Sequence, residues 1–103
     1  MRMSYIWIHY FIHDEDEPYD VYCELDENRL ENRRVEYHDN GVCFSYGEER
    51  GNHEVLSKTP YPTELRALNI TGEVEVKEVS GRFFQDIWYA AQERPDGFMG
   101  MFV

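Results

Sequence analysis

A chain of 103 residues, 42% hydrophobic and 16% aromatic, can build one hydrophobic core but not two, and is too apolar to remain disordered. Twenty-one acids against ten bases give a formal charge of −11, which argues against nucleic acid and anionic lipid as direct ligands. No apolar run approaches the roughly eighteen residues of a membrane span, and the N-terminal MRMSYIWIHYF alternates where a signal peptide would be continuously apolar.

Met3 to His13 alternates, with Tyr5, Trp7, His9 and Phe11 on one side and Ile6, Ile8, Tyr10 and Ile12 on the other. Bulky residues on both faces predict a central strand, one face in the main core and the other under a helix or in an interface. Asp14 to Pro18 interrupts it with charge and proline. Tyr19 to Asp26 resumes the alternation, placing Val21, Cys23 and Leu25 inward and an acidic face of Asp20, Tyr22, Glu24 and Asp26 outward. From Asp14 to Glu27 there are eight acids and no Lys or Arg, a concentration that repels itself and attracts cations.

Arg29 to His38 reads as a third strand. It turns at Asp39-Asn40-Gly41, because Asn-Gly favours the positive φ angles of a tight hairpin, into a fourth strand around Val42, Phe44 and Tyr46. Gly47 to Thr59 is polar and reads as a loop. Pro60 and Pro62 flank Tyr61 and lead to a short helix over Thr63 to Asn69. Glu73 to Val79 alternates valine with charge, as a fifth strand or an extended arm would. Ser80 is the expected N-cap of a helix from Gly81 to Glu93, with Phe84, Ile87, Trp88 and Ala91 as its buried stripe. Pro95 and Gly97 end that helix, and an apolar tail, Phe98 to Val103, either closes the core or forms a self-association surface, giving a possible homodimer. The expected fold is one α+β domain: an antiparallel sheet of four or five strands, a C-terminal helix across one face, and a short second helix.

Neither metal nor catalysis fits this pattern. His9 and His13 are about 13 Å apart along a strand, and Cys23 and Cys43 lack Cys-x-x-Cys spacing. They read as two free thiols in a reducing cytoplasm. No metal site, cofactor or catalytic residue is expected, since general acid–base work needs a carboxyl held in a pocket rather than a run of exposed acids. Tyr19 and Tyr22 lie among the densest acids, as interface anchors do, with charge steering the encounter and rings supplying affinity. The expected partner-binding residues are therefore Asp14, Glu15, Asp16, Glu17, Tyr19, Asp20, Tyr22, Glu24, Asp26 and Glu27.

Several segments together resemble a family of small, functionally uncharacterised bacterial domains. They are His13-Asp14 with Pro18, Glu24-Leu25-Asp26, then Glu31, Arg33, Val35 and Glu36, the hairpin Gly41, Pro60 with Pro62, and Phe84 with Trp88. The likeness covers about residues 4 to 90. It implies an α+β fold and a link to bacterial toxin–immunity systems, and it carries over no catalytic residue. The function expected first is an acidic protein-binding module of the immunity or inhibitor class, neutralising a cationic toxin such as a nuclease. Two alternatives stand beside it: a phage- or plasmid-encoded nucleic-acid mimic that blocks a defence enzyme, and a small-molecule sensing domain with a pocket near Trp7, Phe84 and Trp88.

Overall fold

A computed structural model describes residues 2–39, 41–69 and 72–92. Five strands form one antiparallel sheet: β1 (Ser4–Tyr10), β2 (Asp20–Leu25), β3 (Glu31–Tyr37), β4 (Cys43–Gly47) and β5 (Val74–Glu78), in the spatial order β4-β3-β2-β1-β5. The helix α1 (Gly81–Gln92) follows β5 and lies across one face. This is the α+β architecture expected from the sequence. The Asp39–Gly41 hairpin forms as well, with Gly41 at φ 82° and its N–H donated to the His38 carbonyl, although Asn40 itself lies outside the described residues. The apolar tail also lies outside them.

Register divides the core into two halves, one on each side of the sheet. Ile6 opposes Cys23 and Ile8 opposes both Val21 and Val76, so these five share the face away from the helix. Tyr61, Leu65 and Leu68 cover them. On the helix face Val35, Cys43, Phe84, Trp88 and Ala91 form the second cluster, with Tyr5, Tyr22, Tyr37 and Ile87 around it. The predicted stripe of α1 is therefore the buried one, and Ser80 Oγ accepts the Phe83 N–H at 3.0 Å as an N-cap should. Gly47 lets the indole of Trp88 approach β4 closely, since a Cβ there would meet the ring at 3.1 Å.

Four features of the chain differ from expectation. Strand β1 stops at Tyr10, because Phe11 bends away after its N–H bonds the Glu73 carbonyl, and the alternation through His13 has no further partner strand. The segment expected as a short helix is a single 3-10 turn, Leu65–Leu68. The expected loop after β4 contains two more such turns, Glu48–Arg50 and His53–Val55. The outward acidic face expected for β2 is not outward either: Tyr22 packs on the helix-side cluster, and Glu24 is buried against Arg33.

Candidate functional site

The ten residues expected to form one patch are divided by the length of β2. Asp14 to Glu17 form the turn between β1 and β2, where the Asp14 N–H donates to Glu17 Oε1 at 2.8 Å, and Tyr19 follows at the same end. Asp26 and Glu27 sit in the turn at the other end, about 23 Å from Tyr19 along the strand. Asp26 is structural there, since its Oδ1 accepts the N–H groups of Asn28 and Leu30.

The acids within β2 are already partnered. Asp20 Oδ1 accepts the Trp7 indole N–H at 2.9 Å and lies 2.7 Å from His9 Nδ1. Glu24 is buried and held by both nitrogens of a bidentate Arg33 at 2.8 Å and by Asn32 at 2.6 Å. Burial alone would raise its pKa. The hydrogen bonds from Arg33 and Asn32 outweigh that and hold the carboxyl below the ordinary value. Arg33 in turn packs 5.0 Å from the Phe84 ring and 4.9 Å from that of Trp88, which ties the acid to the helix core. Tyr22 makes an edge contact with Tyr37 and touches Phe83, so its ring serves the core.

What remains is one end of the sheet. The β1–β2 turn meets the β3–β4 turn through His13, whose Nε2 lies 2.8 and 2.9 Å from the two oxygens of Asp39. The hydrogen bond to Asp39 raises the His13 pKa above its usual value. Segments 11–19, 38–39, 41–42 and 72–73 converge here and bring six carboxylates and no Lys or Arg: Asp14, Glu15, Asp16, Glu17, Asp39 and Glu73. None of Asp14 to Glu17 forms an ion pair among the described residues, and all four are exposed. Two apolar side chains stand out of this end: Phe11, 57% exposed, and Ile12, 69% exposed. Behind Phe11 its ring meets His9 edge-on at 4.8 Å, and His9 stacks on Trp7 at 5.6 Å, so a row of rings runs inward along β1.

Sequence periodicity alone missed the exposure of Phe11 and Ile12, because it continued the strand through them. The available signal was the Asp-Glu-Asp-Glu-Pro run directly after them, which argues for an early strand end. The space between helix and sheet near Phe84 and Trp88 is filled by those rings and Arg33, while Trp7 stacks on His9 and donates to Asp20. No cluster of three or more candidate metal-binding side chains occurs among the described residues, and no helix among them is long and apolar enough to cross a membrane.

Fold and surface together define a small antiparallel sheet domain with one covering helix and one acidic, apolar-tipped end. The chain belongs to the family described as a domain of unknown function, DUF6881, whose model matches residues 4–93. The resemblance seen in the sequence holds at that level, as a small uncharacterised domain family. No curated protein and no solved structure matches the chain significantly.

Proposed function

We propose that this chain is an acidic protein-binding module that meets a basic protein partner through the turn end of the sheet, in the manner of an immunity or inhibitor protein acting on a cationic toxin such as a nuclease. The observation behind this is the pairing of exposed Phe11 and Ile12 with four exposed carboxylates that hold no ion pair among the described residues. Apolar anchors supply affinity when they are desolvated, and uncompensated charge beside them steers a cationic partner and accelerates encounter. Buried acids such as Glu24 and Glu31 do neither, because their own arginines neutralise them. The binding set is therefore Phe11, Ile12, Asp14, Glu15, Asp16, Glu17 and Tyr19, with Asp39 and Glu73 at its border. A nuclease needs a positive cleft for phosphates, and such an end would compete for it.

The test is co-expression with the product of the neighbouring gene, together with binding kinetics on the purified pair. The unchanged protein should protect growth, with an association rate that falls steeply as salt rises. Reversal of Asp14, Asp16 and Glu17 to lysine should abolish protection and slow association by at least about tenfold, the range that electrostatic steering spans. Phe11→Ser with Ile12→Ser should mainly speed dissociation. Full protection by the charge-reversed protein would end this assignment.

A further inference from the structure

On the face away from the helix, a groove of about 540 Å³ opens between the β1–β5 pair and the chain around Tyr61 and Leu68. That size lies within the range of about 300–1,000 Å³ typical of ligand sites. Its floor is aliphatic: Ile8 and Val76, both buried, with Leu68 along the side. The hydroxyl of Tyr61 is engaged elsewhere, donating to Glu31 at 2.6 Å, so this side chain offers the groove its ring. At the turn end Ile12, Glu17 and Glu73 form the mouth. Among the nine described lining residues two are carboxylates and none is a base.

Apolar walls beneath a carboxylate mouth suit an occupant that is aliphatic along its length and cationic at its tip. An aliphatic acid would bring like charges together, and a neutral chain would leave the carboxylates without gain. Lysine side chains have this character, burying their methylene stems while the ammonium stays at a polar rim. We propose that this groove receives a lysine-bearing aliphatic segment of the basic partner, with stems on Ile8 and Val76 and an ammonium at Glu17. This rests on the function proposed above and adds a definite chemistry to it. The partner would grip the acidic end from two sides, Phe11 on the helix face and the Ile12 groove on the other.

The probe is the peptide Ac-Leu-Lys-Ile-Lys-NH2, followed by methyl NMR of the full chain, with Ac-Leu-Glu-Ile-Glu-NH2 and n-hexylammonium as comparisons. The lysine peptide should shift the methyl signals of Ile8, Ile12, Val74 and Val76, and the glutamate peptide should bind at least about tenfold more weakly, as like-charge juxtaposition requires. Glu17→Gln, which keeps the acceptor used by the Asp14 N–H, should weaken the lysine peptide alone. Val74→Phe should block it; if that variant fails to fold, Glu17→Gln still decides the matter. Equal binding of both peptides, shifts confined to the Phe11 side, or no shifts would overturn the proposal. Binding of n-hexylammonium as tight as that of the peptide would assign the groove to a free amine and overturn it too. A lysine peptide that binds the groove while the charge-reversed turn still protects in full would leave the groove standing and remove the function it rests on.

Discussion

Glu31 shows how much one side chain can organise. Its side chain is 1% exposed, yet it carries a carboxylate. The cost of taking that charge from water is offset by a full set of donors: the Tyr61 hydroxyl at 2.6 Å, the Ser57 N–H at 2.8 Å and Arg34 Nη1 at 2.9 Å. The Cys23 thiol reaches it as well at 3.6 Å. Burial, with Glu31 adding to it, pushes that thiol well above its ordinary pKa, and burial with Cys23 and Glu31 nearby does the same for Tyr61. Removing the carboxylate should strand Arg34 and Tyr61 together. Glu31→Ala is expected to cost about 3–5 kcal/mol in urea denaturation, the range for breaking a buried pair, whereas Tyr61→Phe, losing one hydrogen bond and exposing Glu31 less, should cost about 1–3 kcal/mol. Equal losses would mean that the carboxylate does not organise the network. The sequence displays Glu31 inside a recognisable Glu-x-Arg-x-Val-Glu run. Its burial was hidden, because its partners lie up to thirty residues away and periodicity reports only local spacing.

At the scale of elements, strands and helix were legible because each buries a face and so repeats at a fixed period. The connections were not. A 3-10 turn of three or four residues leaves no period to find, and the segment Pro60-Tyr61-Pro62 is held by distant groups. Arg29, at φ 66°, donates from its guanidinium to the Pro62 carbonyl at 2.8 Å, and its own carbonyl accepts the Tyr61 N–H. The two turns at the acidic end are joined similarly, through His13 and Asp39. Because the folded state raises the His13 pKa, this clasp contributes fully below the unfolded value of about 6.5 and is lost as pH rises through the folded pKa. Stability measured by denaturant at a series of pH values should fall over that window in the unchanged protein, and the fall should be reduced in Asp39→Asn. An identical slope in both proteins would show that the clasp forms no part of the stability.

For the whole molecule, the count of acids could be read at once, but their distribution could not. Ten candidate binding residues in one stretch of sequence became two turn groups separated by a strand, with Tyr22 packed against the helix and Glu24 buried against Arg33. Alternation predicted which side of β2 they share and could not say that α1 would cover it. The excess charge acts on folding and binding in opposite directions. Self-repulsion at −11 is screened by salt, and so is attraction to a cation, with a Debye length near 10 Å at 0.1 M. Between about 0.02 and 0.2 M sodium chloride the melting temperature of the isolated protein should therefore rise while its association rate with a basic partner falls. A melting temperature that falls with salt would point instead to stabilising ion pairs as the dominant electrostatic effect.

The side chain of Asn69 accepts the Val76 N–H at 2.9 Å, just beyond the outermost strand β5. A foreign strand approaching from that direction would find this donor occupied, and the Leu65–Leu68 turn packed beside it. Fibril-like stacking of copies through this margin would first require Asn69 to swing aside and release the Val76 N–H.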